Sequence, residues 1–158
     1  MNIEALLARV DALESRAAIE ALISGYANAF DLKDRRLLQE IWHEYATLDL
    51  PGFGSAASRN EILQMANYNW QKMPQMRHWM ANPMIEIVGD NATATVAANC
   101  LFHDIERGPI QVSGLYYDTF ARRGGQWRFL ARSFQLHYLT PLENWVPIAG
   151  TEHFITNS

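Results

Sequence analysis

Residues 109–139, PIQVSGLYYDTFARRGGQWRFLARSFQLHYL, decide the fold. Two long runs rich in Val, Phe, Tyr and Trp flank Arg123-Gly124-Gly125. Paired glycines between such runs mark a tight β-hairpin, because glycine enters the left-handed backbone region without a steric penalty. The pattern extends upstream: 76–88 and 92–105 are β-rich runs separated by Gly89-Asp90-Asn91, and Glu106-Arg107-Gly108 leads into 109–122. With 126–139 as the fourth run, three hairpins in series predict an antiparallel meander. Strict alternation in the last run puts Arg128, Leu130, Arg132, Phe134, Leu136 and Tyr138 on one face, opposite Trp127, Phe129, Ala131, Ser133, Gln135 and His137. Arg132 then sits among apolar neighbours.

Outward from the meander the texture is helical. Ile3, Leu6, Leu7, Val10 and Leu13 recur at steps of three and four and predict an amphipathic helix over 2–14. Ser15 reads as the N-cap of a second helix that carries Ala17, Ala18, Ala21, Leu22 and Ala29 and ends near Phe30 or Asp31. A short helix over 36–43 and a brief strand at Thr47–Leu50, stopped by Pro51-Gly52, follow. Ser58-Arg59-Asn60-Glu61 matches a capping box that opens a helix to about Met73. Helices first and an antiparallel sheet second is the α+β order, and strands this long can curl into a cone closed by helices around a cavity. The 141–158 tail keeps Leu142, Trp145, Val146, Ile148 and Phe154, so it is expected to cover the cavity mouth or a neighbouring subunit.

The chain has 158 residues, which fits one domain over 1–158. Hydrophobic residues make up 49% and the net charge is −4 without a basic cluster, a balance that supports a packed core and argues against nucleic acid as a partner. Cys100 is the single cysteine, which excludes an internal disulfide and any zinc site built on two thiolates. Met1-Asn2-Ile3-Glu4 lacks the basic start of a signal peptide, and no uncharged apolar run reaches about 18 residues. A cytoplasmic protein without a membrane anchor is expected. There is no HExxH, no G-x-S-x-G elbow and no glycine-rich phosphate loop, so neither metal nor cofactor is expected.

Histidines stand at 43, 78, 103, 137 and 153, and His78 and His103 draw most interest, one near the start of the first β-run and one near the end of the next. Each alone reads more simply as a packed histidine with one satisfied nitrogen. Asp31 closes an apolar helix, where its carboxylate meets the negative end of the helix dipole at a cost of ~0.3–1 kcal/mol. That cost hints at a second reason for the residue, although a solvated helix-end acid is the plainer reading. Arg132 either meets an acid or stabilises an anion. His78, His103 and Asp31 also have the composition of a two-His-one-carboxylate metal site, against which the absence of any ligand motif weighs.

Taken jointly, Ser15-Arg16-Ala17-Ala18-Ile19, Asp31-Leu32-Lys33, Ile41-Trp42, His78, Arg122-Arg123-Gly124-Gly125-Gln126-Trp127 and Tyr138-Leu139-Thr140-Pro141-Leu142 resemble the SnoaL-like branch of the NTF2-like superfamily, over about residues 13–142. That branch has a cone-shaped α+β barrel and includes hexachlorocyclohexane dehydrochlorinase, scytalone dehydratase and bile-acid dehydratase. The resemblance implies a cofactor-free enzyme in which Asp31 holds His78 as general base, Arg132 stabilises developing negative charge, and His103 assists a leaving hydroxyl. Tyr26 stands where the dehydrochlorinase has a lysine, and the dehydrochlorinase lacks a counterpart of His103. Both departures favour a dehydratase over a dehydrohalogenase, with isomerase or cyclase chemistry as alternatives. Tyr26 either binds substrate or hydrogen-bonds within the protein. Trp42, Met65, Tyr68, Trp79, Met80, Phe102 and Leu115 are the expected cavity walls, suited to an apolar, steroid-like or aromatic substrate. The family also includes non-catalytic binding modules and dioxygenase small subunits that need a large iron-bearing partner. Its enzymes imply a homo-oligomer, with a trimer favoured.

Overall fold

In the computed structural model, which describes residues 2–145, the N-terminal region is one helix where two were expected. α1 (Ile3–Asp31) starts at Asn2, whose side chain accepts the Ala5 N–H at 2.9 Å. Ser15 lies inside the helix, buried, and its hydroxyl accepts from Arg122 at 3.3 Å. No glycine or proline breaks the backbone ladder near Ser15, so its capping preference has nothing to act on. Ile19, Ile23, Tyr26 and Phe30, spaced by three or four, form the buried stripe that packs on the sheet, whereas Ile3, Leu6, Leu7, Val10 and Leu13 near the N-terminus are exposed.

α2 (Arg35–Glu40) is capped by Asp34, which accepts the Leu37 N–H at 2.9 Å. It ends before Trp42 and His43, which belong instead to β1 (Trp42–Leu50), longer than the strand expected at 47–50. β2 (Gly54–Ala56) is a three-residue partner of β1 with no counterpart in the sequence reading. α3 (Arg59–Lys72) opens with the expected capping box: Ser58 Oγ accepts the Glu61 N–H at 3.3 Å. Glu61 reaches back to accept the Ala57 N–H at 2.8 Å.

β3 (Gln75–Val88), β4 (Asn91–Asp104), β5 (Gly108–Arg123) and β6 (Gln126–Pro141) form the meander, close to the expected bounds. The six strands run in the order β2-β1-β6-β5-β4-β3, with β1 parallel to β6 and the other pairs antiparallel. The sheet curves without closing, since β2 and β3 are its two edges, and the helices pack on its inner face. Arg122 fastens this hairpin end to α1 through Asp11 at 2.6 Å and to the β3–β4 turn through Asp90 at 2.7 Å. Among the described residues no helix is long and apolar enough to cross a membrane. The tail expectation concerns mostly residues 146–158, which lie outside the described ones.

Two register breaks reshape the last hairpin. Phe120 faces Phe129 while Thr119 faces Ala131, so Leu130 is an extra residue on β6. One inserted residue reverses the facing of everything beyond it. Trp127, Phe129, Arg132 and Phe134 are therefore all buried, and the strict alternation expected across 126–139 does not hold. The other break lies beside Gly114, where any Cβ would stand 2.0 Å from the Gln135 carbonyl oxygen. Only glycine permits that approach.

Candidate active site

The C-terminal end of α1 and the first turn of β3 meet at one carboxylate. Asp31 Oδ1 lies 2.6 Å from His78 Nδ1, and Asp31 Oδ2 accepts the His78 backbone N–H at 2.9 Å. Both side chains are buried. Two charge-assisted hydrogen bonds offset the unfavourable dipole end at which Asp31 sits. An ionised carboxylate only accepts, so the proton of neutral His78 is on Nδ1 and the lone pair is on Nε2. The ring is braced by Phe102, Phe30 and Tyr26, with centroids at 5.1, 6.1 and 6.1 Å.

His78 lines a cavity enclosed mainly by apolar side chains from α1, α3 and the inner sheet face, among them Phe30, Leu50, Phe53, Met73, Met76, Phe102, Val112 and Phe134. Its unfilled space is about 400 Å³ counted to the mouth, and the part that can hold the centre of a water-sized sphere is about 30 Å³. That is room for one or two waters. Polar groups on the wall are His78, Tyr26, Tyr116, Asn69 and Cys100. Burial pushes Tyr26 up to about 12 and Tyr116 well above the ordinary tyrosine value. Both remain neutral hydroxyls at working pH. Cys100, directly across from His78 in the β3–β4 pairing, is pushed up to about 12, first by burial and then by the Asp31 charge. It is a small apolar wall group and not a thiolate nucleophile.

Arg132 is 1% exposed and forms a bidentate pair with its cross-strand partner Asp118, both contacts 2.7 Å. Its guanidinium carbon lies 4.2 Å from the ring centres of Tyr26 and Tyr116 and 4.6 Å from that of Phe129. Burial opposes the charge, but Asp118 holds Arg132 protonated, above its ordinary value. Arg132 thus stacks on two tyrosines of the cavity wall without lining the cavity itself.

Strand alternation removes other candidates. Phe102 faces the cavity, so His103 points to the opposite face, where its Nδ1 is buried without a partner. Trp79, half exposed at 52%, and Leu115, between the inward Gly114 and Tyr116, share that outer face. Met80 is on the His78 side of β3 but packs against the core away from the cavity. Trp42 is fully buried behind the cavity against Phe129. On α3, Met65 packs beside Gly54 and Tyr68 is exposed, both around an adjoining groove that shares Phe53, Asn69 and Met73 with the cavity. Of the eight expected wall residues, Tyr26 and Phe102 line the cavity. Among the described residues no three His, Cys, Asp or Glu side chains gather as metal ligands would.

Asp118, Tyr116, Cys100, Asn69, Met73 and Met76 also belong to the site or its support and are not singled out by sequence pattern. Met76 was within reach, since it stands two residues before His78 and alternation puts both on one face. Cys100 and Asp118 needed the strand register, and Asn69 carries no local signal.

Comparison with known proteins agrees with this architecture. Gamma-hexachlorocyclohexane dehydrochlorinase of Sphingobium indicum is 29% identical over 136 residues, covering 84% of this chain and 87% of that one. The crystal structure of a hexachlorocyclohexane dehydrochlorinase from Novosphingobium barchaimii superposes with a TM-score of 0.82 at 28% identity, covering 89% of this chain and 99% of the other. An NTF2-like protein with a cystatin-like fold from Novosphingobium aromaticivorans superposes with a TM-score of 0.76 at 25% identity, over 85% and 90% of the two chains. The family model for the SnoaL-like domain matches residues 11–133, most of the fold and every residue of the Asp31–His78 and Arg132–Asp118 pairs, and this chain belongs to the SnoaL-like family.

Proposed function

We propose that this chain is a cofactor-independent lyase that eliminates a small leaving group across a carbon–carbon bond, with His78 as general base. The observation that carries the reading is the 2.6 Å Asp31–His78 contact beside an apolar cavity, which leaves the Nε2 lone pair to the cavity. The dehydrochlorinase names of the relatives support elimination as the reaction type. His78 Nε2 takes a proton from substrate carbon, the C–H electron pair becomes the new C=C bond, and the leaving group departs from the adjacent carbon with its own pair. Asp31 stabilises the imidazolium that forms and keeps the ring in one orientation. Arg132, stacked on Tyr26 and Tyr116, places the positive end of its ion pair with Asp118 behind two neutral hydroxyls that are hydrogen-bonded to each other, which leaves one hydroxyl proton of the pair for developing negative charge on oxygen.

Dehydration is the favoured form of the reaction. Tyr26 is a neutral donor that can hydrogen-bond a departing hydroxyl, and the imidazolium proton leaves with it as water. The outer-face position of His103 gives it no part in this scheme. The space counted out to the mouth, about 400 Å³, and not the enclosed part, is what a substrate would use, and it suits a single ring better than a steroid. Exposed Tyr117, Trp79 and Tyr138 on the outer sheet face suit a homo-oligomer, for which we favour a trimer.

The test is a substrate panel of cyclic β-hydroxy ketones and gamma-hexachlorocyclohexane, read by conjugated-enone absorbance and by chloride release. Enone formation that is lost in His78→Gln and Asp31→Asn is the expected result; chloride release lost in the same variants would keep the lyase and replace the dehydratase. Turnover that survives in both variants would overturn the base assignment.

A further inference from the structure

Asn69 is the polar residue of the cavity wall that the mechanism does not use. It lies on α3, is 3% exposed and lines the cavity with Phe30, Phe53, Met73 and Met76. Its backbone carbonyl accepts the Met73 N–H at 2.7 Å, but its carboxamide makes no hydrogen bond to any described residue. Nor is it sealed in the interior like Trp42 Nε1 or Arg132 Nη1: Asn69 stands in the wall shared by this cavity and the groove that Met65 and Tyr68 border, so its carboxamide is within reach of a ligand or of water. A polar side chain this deep in the wall and without a protein partner is satisfied by water or by a ligand, and a ligand oxygen can replace that water. The four neighbouring wall side chains named above offer no competing hydrogen-bonding group.

We infer that Asn69 is a positioning residue that binds an oxygen substituent of the substrate, so that the ligand class is a compact apolar ring carrying a hydroxyl or carbonyl group. The carboxamide donates to a ketone and both donates to and accepts from an alcohol, whereas an alkyl chloride would leave it unsatisfied. With that oxygen on Asn69, the rest of the ring contacts the apolar wall and a C–H faces His78. This inference rests on the reading of the cavity as the substrate site, and it disfavours a chlorinated substrate.

Binding without turnover separates it from the proposed reaction. Phenol and toluene have nearly the same size and differ by hydroxyl against methyl. Titration calorimetry should show phenol binding about tenfold tighter than toluene to the full chain, a ratio that falls to about one in Asn69→Leu. Asn69→Ala provides a second variant should the leucine not fit. A merely structural Asn69 would change the melting temperature and weaken both ligands alike, leaving the ratio intact, and that result overturns the inference. Absence of binding by either ligand up to the aqueous solubility of toluene, or no preference in the unaltered chain, overturns it as well. Failure of the substrate panel alone would refute the lyase and leave this ratio unaffected.

Discussion

Two acid–base pairs organise this molecule, and their contacts are almost equal in length: 2.6 Å for Asp31–His78 and 2.7 Å for Asp118–Arg132. What differs is the far side of each basic side chain. His78 borders a cavity with its second nitrogen, whereas Arg132 is enclosed by Tyr26, Tyr116 and Phe129. A short ion pair is therefore a poor guide to chemistry by itself. The open one borders space that a ligand could enter, and the sealed one is closed off by its own neighbours.

Substitutions can break that contrast. The largest effect is expected on turnover of the panel substrate: His78→Gln and Asp31→Asn should each lower kcat by roughly 10²–10⁴-fold while the melting curve stays cooperative. The sealed pair should respond in the opposite sense. Asp118→Ala leaves a buried guanidinium without its acid and should cost roughly 3–5 kcal/mol in urea unfolding, whereas the paired change Asp118→Leu with Arg132→Met should recover most of that loss. A single variant within 1 kcal/mol of the parent would refute the sealed-pair description.

Smaller effects sharpen it. Tyr26 has an ordinary value of 10.0 and a folded value of about 12, and Cys100 rises from 9.0 to about 12. Both groups keep their protons in the fold at pH values where the unfolded chain has lost them. The stability they contribute is complete below about pH 9 and lost as pH rises from there to about 12. Urea midpoints measured from pH 8 to 11 should therefore decline, and Tyr26→Phe should flatten the decline above pH 10. The smallest change is expected at Ser15: because it is buried in mid-helix and not a cap, Ser15→Ala should shift stability by less than the ~1 kcal/mol typical of a lost N-cap. A loss of ~2 kcal/mol would indicate that its contact with Arg122 matters more than the geometry suggests.

How much of this was legible depends on the range of the interaction. The Ser58–Glu61 capping box, the glycine turns at 89, 108 and 124–125 and the four long strands are written in residues close along the chain, and the structure follows them. Ser15 misled because its neighbours continue a helix that its own preference would start. The wall residues misled for a different reason. Trp79, His103 and Leu115 are next-door neighbours of His78, Phe102 and Tyr116, and one step along a strand is the difference between cavity and outer face.

The sequence by itself therefore determined the α+β order and the strand bounds of the meander, because turn conformations and side-chain periodicity are local, whereas Asp31 and His78 were brought together only by the family resemblance and by no local pattern. Only the tertiary structure decided that Asp31 and His78 touch, that Cys100 sits across from His78, and that Asp118 takes Arg132 away from the cavity surface. Those facts depend on strand register. The extra residue at Leu130 changes which face each side chain presents, and nothing in the local pattern announces it.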